Sequence, residues 1–295
     1  MSFDEPGRPL DASLFTKAST ARIYNYLLGG KDNYLVDRIA AAKIIDAAPS
    51  APALARENFR FAGRATSWAV GEVEAGLVLD IGMGLIDHLP KDLRSIDQVV
   101  HDRYPDVEVV GVDPDPIVLS HFRALFRTRR EAAACGYAAV ASGDVRDLDT
   151  IFANPGLLAR GVDLEQRAVV VLAAVLHFIG PDEGPSGPLG ILTQLHERMA
   201  PGSALVISHA CSSSVDQAAV ADIERGYDGA SSDIHFRTEQ QIAELIKEAG
   251  WFAQVPPYDV QKWAPLGSTY RQVERRQIKG VRVVGTVAFS SKGRP

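Results

Sequence analysis

Apolar residues recur in two different patterns along this chain, and the change falls near residue 76. Before that point they are spaced by three or four positions, which is typical of amphipathic helices, and no stretch has the pattern of a strand. Glycine, proline and capping residues indicate where each helix begins and ends. The pattern predicts helices from Ser19 to Gly29–Gly30, from Asp32 or Asn33 to Pro49 with Val36, Ile39 and Ile44 on its apolar face, and from Pro52 to Val73.

After residue 76 the apolar residues cluster in five short, nearly continuous runs separated by helical segments. The runs are 76–84, 107–115, 137–147, 168–179 and 203–210. Strands of this kind that alternate with helices predict an α/β fold with a doubly wound parallel sheet covered on both faces. An amphipathic helix is predicted after Thr238. The alternating final run, 282–291, predicts a last antiparallel strand.

The chain is predicted to form one compact unit with three parts. Residues 1–18 are acidic and contain proline, which is typical of a loose N-terminal arm. Residues 19–75 are predicted to form a helical cap, and residues 76–295 the α/β core. No repeat or low-complexity segment interrupts this arrangement.

Composition narrows the classes of protein to which the chain can belong. Hydrophobic residues make up 46% and charged residues 23%, as in an ordinary soluble protein. The net charge of −6 disfavours a nucleic-acid or membrane-surface binder, because both need an excess of basic residues. Cys135 and Cys211 are far apart and in no ligand motif, which indicates a reducing compartment and no metal site. Since no signal peptide or membrane-length apolar run is visible, we expect a cytoplasmic protein.

Three predicted strands end in residues suited to an adenosine-containing ligand. Asp80, Gly82 and Gly84 follow the first strand, where glycines let the backbone approach a ligand and the next helix presents N–H donors. Asp113 ends the second strand, where a carboxylate can accept both ribose hydroxyls. Asp144 follows the third strand and is placed to bind an adenine amino group. A glycine turn alone fits a tight strand-to-helix connection as well, but the three strand ends together favour an adenosine site.

The residue at position 87 distinguishes between ligands of this kind. A dinucleotide fingerprint needs a third glycine there, whereas this chain has Asp87, whose charge would repel a pyrophosphate. S-adenosylmethionine carries no phosphate, and the Asp80 carboxylate could attract its ammonium group. The sequence therefore favours S-adenosylmethionine. Two alternatives stay open: an NAD(P)-dependent oxidoreductase and a non-catalytic module that binds S-adenosylmethionine.

Several motifs resemble those of one known family. They are "ARIYNYLLGGKDNYLVDR", "REN" at 56–58, "LDIGMGL", "VVGVDPDPIVLSHFRALF", "GDVRD", "VLAAVLHFI", "LHERMAPGSALVISH" and "YDVQKWAP", and they span most of the chain. The chain is similar to the S-adenosylmethionine-dependent methyltransferases long catalogued as a domain of unknown function and later named S-adenosyl methyltransferases. "YLLGGKDN" is the most specific of these motifs. Met83 and "LIDHLP" depart from the glycine turn of that family.

The resemblance implies a class I methyltransferase with a Rossmann-like doubly wound sheet and an N-terminal helical cap over the carboxyl edge of the sheet. It implies S-adenosyl-L-methionine as cofactor and S-adenosyl-L-homocysteine as product. We expect a small-molecule acceptor, and the negative charge of the chain predicts no nucleic-acid or membrane partner. O-, N- and C-methylation are all compatible with the sequence. The expected cofactor-binding residues are Asp80, Gly82, Gly84, Asp113, Pro114, Gly143, Asp144, Val145, Ala173, Tyr26, Gly30 and Lys31.

The acceptor side of the site is expected near the fourth strand. His177 follows that strand and is the candidate general base, and the alternative is a histidine that fills a core position. Gly29–Gly30 either bring the backbone close to a ligand, with Lys31 facing an anionic group, or simply end a helix. The other residues expected at the acceptor are Tyr24, Asn33, His209, Tyr227 and Arg237.

Overall fold

The N-terminal part of the molecule is helical, as the sequence predicts. The computed structural model describes residues 13–86, 88–129, 137–158, 162, 164–181, 184–265 and 281–292. The first helices are α1 (Ser13–Thr16), α2 (Thr20–Leu28), α3 (Leu35–Ala47) and α4 (Ala51–Val73). Gly29 ends α2 with φ +89°, a left-handed conformation that glycine adopts without strain. Residues 1–12 of the expected arm lie outside the described residues, and Ala18 at its end is buried.

Strands and helices alternate through the rest of the chain. In order they are β1 (Leu77–Ile81), α5 (Ile96–His101), β2 (Glu108–Asp113), α6 (Pro116–Arg129), β3 (Tyr137–Ser142), α7 (Leu148–Phe152), α8 (Pro155–Leu158), β4 (Ala168–Ala173), a 3-10 turn (Leu176–Phe178), α9 (Pro188–Arg198), β5 (Ala204–Cys211), α10 (Gln217–Gly226), α11 (Glu239–Glu248), β6 (Trp251–Ala253), β7 (Tyr258–Asp259) and β8 (Arg282–Ser290). All five runs predicted as core strands form strands. Thr238 caps α11 by accepting a hydrogen bond from the Gln241 backbone N–H, as expected.

The strands form one twisted sheet in the order β3-β2-β1-β4-β5-β8-β6, with β7 paired to β8. β1 to β5 are parallel, and β8 runs antiparallel to β5, so the doubly wound sheet and its final antiparallel strand are confirmed. The strand order reverses direction between β1 and β4. Ligands of doubly wound sheets bind at such a switch point, outside the carboxyl ends of the strands.

Apolar side chains pack on both faces of the sheet. One cluster joins residues of α2, α3 and α4 to strand residues such as Val169, Val206 and Val287, so the N-terminal helices share a core with the sheet. Trp68 of α4 packs edge-on against Phe289 of β8 at 5.9 Å between ring centroids. The opposite cluster joins α7, α9 and α11 to the other face. Burial of these apolar side chains is the main source of stability of such a fold.

Three local features differ from the sequence predictions. Asp32 and Asn33 do not cap α3, because Tyr34 precedes the helix and its backbone N–H donates to the Asp37 carboxylate. Ile39 was expected on the apolar face of α3 and is 53% exposed. β4 ends at Ala173, earlier than predicted, since the next residue has φ +60° and turns the chain out of the sheet.

The segment between β5 and α11, which has no clear sequence pattern, contains α10. Its Asp216 cap accepts a hydrogen bond from the Ala218 backbone N–H, and α10 packs on α3. Across the ranges given above, no helix combines the length and the apolar character needed to cross a bilayer.

Candidate active site

A cavity of about 410 Å³ lies at the carboxyl ends of β1 to β4, under α2 and α4. This volume lies within the range of about 300–1,000 Å³ that is usual for small-molecule sites. The strand ends supply one side of its wall, and the helices supply the other. The expected residues that line it are Asp80, Gly82, Gly84, Asp113, Pro114, Asp144, Val145, Ala173 and Tyr24.

The turn after β1 is held open by its glycines. Gly82 and Gly84 have φ values of +76° and +64°, which favour glycine over any other residue. The Gly82 backbone N–H donates to the Val112 carbonyl oxygen at 2.7 Å, which ties the turn to β2. A Cβ atom at Gly84 would meet no atom of the described residues within 4 Å. The turn therefore leaves free space beside Gly84 at the cavity wall.

Asp113 connects the end of β2 to that turn. Its Oδ2 accepts a hydrogen bond from the Gly84 backbone N–H and its Oδ1 from the Asp115 backbone N–H, both at 2.9 Å. Burial raises the pKa of Asp113 to about 6, although the two hydrogen bonds lower it. An ionised carboxylate has about four acceptor positions, so Asp113 can accept two more hydrogen bonds from a ligand.

Asp80 is the second buried carboxyl group of the cavity wall. It is 4% exposed, and the Tyr137 hydroxyl donates to its Oδ2 at 2.7 Å. Burial raises its pKa to about 7, and the nearby acids Asp113 and Asp97 add to the rise, while the Tyr137 hydrogen bond opposes it. Asp80 therefore changes protonation near neutral pH in the free protein.

Asp144 lies at the end of β3 and is paired with Arg146. The Arg146 guanidinium contacts both carboxylate oxygens, with Nη2 at 2.5 Å from Oδ2. Burial alone would raise the pKa of Asp144, but the side-chain and backbone hydrogen bonds from Arg146 outweigh it, and the pKa is lowered. Val145 presents a buried apolar side chain beside this pair. Asp87, the expected obstacle to a pyrophosphate, lies outside the described residues, so its effect stays a prediction.

The N-terminal end of α2 is fixed to the end of β2 by a polar network that the sequence did not reveal. The Ser19 hydroxyl donates to Asp115 Oδ2 at 2.6 Å. Arg22, which is 1% exposed, donates from Nε to Asp37 Oδ2 at 2.8 Å and lies 3.7 Å from Asp115. Ser19, Arg22 and Asp115 all line the cavity. These contacts join residues far apart in the chain, so no local sequence signal identifies them.

Tyr24 and Asn58 form a second polar contact, between α2 and α4. The Tyr24 hydroxyl donates to the Ala55 carbonyl oxygen at 3.0 Å and accepts from Asn58 Nδ2 at 2.9 Å. Burial raises the pKa of Tyr24 well above its ordinary value. Both side chains border the cavity. Tyr24 was expected at the acceptor, whereas Asn58 was noted only as part of the "REN" motif, with no role in the site.

The geometry of the cavity agrees with the result of a family comparison. The sequence profile of the S-adenosyl methyltransferase family matches residues 5–288. The chain belongs to this family. It is therefore an S-adenosylmethionine-dependent methyltransferase, and the oxidoreductase alternative is not retained. No curated protein matches the chain.

Two solved structures resemble this methyltransferase over nearly their full length. A DUF574 family protein from Streptomyces avermitilis is 25% identical, with a TM-score of 0.79, and the match covers 94% of this chain and 98% of that one. A putative methyltransferase from Thermobifida fusca is 25% identical, with a TM-score of 0.78 and coverages of 96% and 99%. The plantazolicin methyltransferase BamL, solved with S-adenosylhomocysteine, shares the fold at 11% identity and a TM-score of 0.51, with coverages of 92% and 96%. These likenesses confirm the class I methyltransferase fold.

The double glycine of the methyltransferase does not border the cavity. A Cβ atom at Gly30 would lie 2.4 Å from Asn25 Nδ2, and one at Gly29 would lie 2.8 Å from Arg56 Nη2. Asn25 Oδ1 accepts hydrogen bonds from the Asp32 backbone N–H and from Asn33 Nδ2, which closes the turn on itself. Of the two interpretations of this motif, the structure favours helix termination. Tyr26, Lys31 and Asn33 also lie outside the cavity wall.

His177, the candidate base, lies behind the cavity wall. Its Nδ1 accepts from the Ala210 backbone N–H at 3.3 Å, and its ring packs 4.4 Å from that of Phe178, which does border the cavity. Burial lowers the pKa of His177 well below its ordinary value. This position fits the core-filling alternative and does not place the ring in contact with an acceptor.

His209 and Arg237 form a buried pair beside His177. His209 Nδ1 donates to the Ala210 carbonyl oxygen, and its Nε2 accepts from Arg237 Nη1 at 2.8 Å. Burial lowers the pKa of His209 to about 3. The Arg237 guanidinium also donates to the carbonyl oxygens of Leu176 and Ile179, so it holds the chain that follows β4. Neither residue borders the cavity.

Two other expected residues are packing positions. A Cβ atom at Gly143 would lie 2.5 Å from Ile151 Cγ1, so glycine is required there by its neighbours. Tyr227 is buried, and its ring lies 5.5 Å from that of Phe178, behind the cavity wall. The cofactor residues on the strand ends were thus brought together, and most residues expected at the acceptor were not.

Proposed function

We propose that the cavity binds S-adenosylmethionine along the strand ends and a neutral small-molecule acceptor on the side of β4. One observation carries this proposal: a single cavity joins the glycine turn, Asp113 and Asp144 to an apolar wall that contains Phe59 and Phe178. The helices of residues 19–75 act as a cap that covers both ligands.

Each strand end has a distinct part in this proposal. The free acceptor positions of Asp113 accept hydrogen bonds from the ribose hydroxyls. The methionine part of the cofactor lies in the space beside Gly84. Asp80 attracts the ammonium group of the cofactor, since its ionised form is stabilised by a nearby cation. Asp144 and Val145 bind the adenine, which requires the Arg146 guanidinium to share the Asp144 carboxylate with the ligand.

The chemical demands on the side chains are small. The bound cofactor supplies a methyl group: the acceptor atom forms a bond to the methyl carbon, the sulfur keeps the electron pair of the broken bond, and the proton of an acceptor O–H or N–H passes to bulk solvent. The protein aligns the two ligands and excludes water, which together can supply most of the acceleration. The cap and the buried wall of the cavity serve both purposes.

Charges in the cavity favour a neutral acceptor. Among the described residues, four carboxyl groups border it, those of Asp80, Asp113, Asp115 and Asp144. Three basic side chains of the same part of the chain lie on its wall: Arg22 and Arg146 are paired with acids, and Lys17 is exposed, so acidic groups outnumber basic ones. An anionic substrate, nucleic acid included, would therefore meet repulsion.

The low cysteine content and the absence of ligand motifs support a cytoplasmic location.

Calorimetry of the full chain with S-adenosylmethionine, S-adenosylhomocysteine and NAD tests this proposal. We expect micromolar affinity, about −8 kcal/mol, for the first two compounds only. Asp113→Ala should weaken both by at least about tenfold, because a hydrogen bond to a charged group contributes about 1.5–3 kcal/mol. Asp106→Ala, which changes an exposed acid before β2, is the matched control. The proposal would be overturned if the unmodified protein bound neither S-adenosyl compound. It would also be overturned if Asp113→Ala and Asp106→Ala bound them with equal affinity.

A further inference from the structure

Asn58 is a buried amide with an unused acceptor. It lies on α4, is 2% exposed and borders the cavity. Its Nδ2 donates to the Tyr24 hydroxyl at 2.9 Å, whereas its Oδ1 is buried and has no hydrogen-bond partner among the residues that the structure describes. Buried polar atoms are nearly always satisfied, so an unpartnered oxygen at a ligand cavity calls for an explanation.

Its position separates Asn58 from the other unpartnered atoms. Within the described part of the chain, Thr66 Oγ1 and Asp97 Oδ1 are also buried without a partner, but neither residue borders the cavity. Rotation about the Cβ–Cγ bond turns the Asn58 oxygen toward a ligand and at the same time releases Nδ2 from the Tyr24 hydroxyl, since the side chain already forms part of the wall. A bound molecule is therefore the simplest partner for this atom.

The surroundings of Asn58 indicate what that molecule carries. Phe59, Ala62 and Phe178 supply apolar wall near the Tyr24–Asn58 pair. The Tyr24 hydroxyl is already engaged at both its hydrogen and its oxygen. The ion pairs of the cavity lie at the ends of β2 and β3. The amide oxygen of Asn58 is thus an acceptor on a mainly apolar wall, and it suits a neutral O–H or N–H donor.

We propose that Asn58 determines acceptor specificity by accepting a hydrogen bond, through Oδ1, from an O–H or N–H group of a neutral, largely apolar methyl acceptor. This inference rests on the proposed function, because it assumes that the cofactor occupies the strand ends. Acceptors that lack such a donor leave the oxygen unpaired and are rejected, as happens when a site built for a hydroxyl receives an analogue without it.

Sinefungin provides a defined probe of the acceptor side. In this analogue a carbon that bears an amino group, which is an ammonium at neutral pH, replaces the sulfur and its methyl group, so a charged N–H donor points to where the acceptor binds. S-adenosylhomocysteine has the same adenosine and amino-acid ends without that donor. We expect Asn58→Leu to weaken sinefungin at least tenfold and S-adenosylhomocysteine less than twofold.

One further variant separates contact from packing. Thr66→Val removes another unpartnered polar atom from α4 and should leave both affinities unchanged. Equal losses for both compounds in Asn58→Leu, or no loss for either, would overturn the role of Asn58. Failure of the unmodified protein to bind S-adenosylhomocysteine would instead overturn the proposed function, and this inference with it.

Discussion

Asp80 illustrates how burial changes the chemistry of a single residue. Its carboxyl group, on β1, is buried and accepts a hydrogen bond from the Tyr137 hydroxyl. Its pKa of about 7 lies above the ordinary value of 3.8. Near pH 7 the free protein therefore contains both protonation states. A cationic ligand at this position favours the ionised state, so its binding must release a proton.

The first prediction concerns the pH dependence of cofactor binding. Affinity for S-adenosylmethionine should rise about tenfold from pH 6 to pH 8, since ionised Asp80 binds the ammonium and its fraction grows through the pKa. Calorimetry in two buffers of different protonation enthalpy should detect proton release at pH 7. In Asp80→Asn the release should disappear. If it persisted unchanged there, another group would be responsible.

The same pKa determines how Asp80 affects the stability of the free protein. Between pH 4 and 7 the folded state keeps a proton on Asp80 that the unfolded state has lost. The contribution of this residue to the free energy of unfolding is therefore present at low pH and lost as pH rises through 7. We expect Asp80→Asn to gain stability relative to the unmodified protein between pH 5 and pH 8 in urea denaturation. A constant difference between the two proteins across this range would contradict the assignment.

Helix α2 is fixed at both ends by different means. At its start the Ser19 hydroxyl holds it to Asp115, at the end of β2. At its end the chain turns at Gly29 and Gly30, which pack closely against the side chains of Arg56 and Asn25 respectively. The helix is thus held over the cavity in part by residues of other elements, Asp115 after β2 and Arg56 of α4.

Ser19→Ala should loosen the cap over the cofactor. The lost hydrogen bond to a charged acceptor contributes about 1.5–3 kcal/mol, and we expect S-adenosylhomocysteine to dissociate about tenfold faster in stopped-flow displacement. Ser120→Ala is the matched control, because the Ser120 hydroxyl donates to the Pro116 carbonyl oxygen at the exposed surface and does not border the cavity. Unchanged dissociation in Ser19→Ala would show that α2 is held without this contact.

Gly30→Val tests the role of the double glycine. The new side chain would collide with Asn25, and overpacking of this kind costs about 1–3 kcal/mol of stability. We expect a lower melting temperature and, at temperatures where the variant is folded, unchanged affinity for S-adenosylmethionine. A stable variant with weakened binding would instead support close approach of this loop to the ligand.

At the scale of the whole molecule, the sequence predicted those features that depend on local pattern and on simple rules of topology. The apolar runs marked the core strands, and their alternation with helices implied a parallel sheet whose carboxyl ends share one edge. Asp80, Gly84 and Asp113 were therefore predictable as neighbours. The family resemblance was confirmed by the family profile.

The features that were not predicted depend on how distant elements pack. The role of Asn58 follows from the approach of α4 to α2, which no local spacing encodes. His177 was placed at the acceptor because β4 was expected to be longer, and the turn at Ala174 directs the ring into the core instead. The double glycine was ambiguous because helix termination and ligand approach require the same backbone freedom.

The position of β8 has a consequence for how the chain folds as it leaves the ribosome. β8 lies between β5 and β6, although it is synthesised after both. Until it emerges, β5 has an open edge along a strand whose residues are all buried in the finished protein. Such an edge can pair with another nascent chain. We therefore expect the sheet to close only late in synthesis, with β5 as the segment most in need of a chaperone until then.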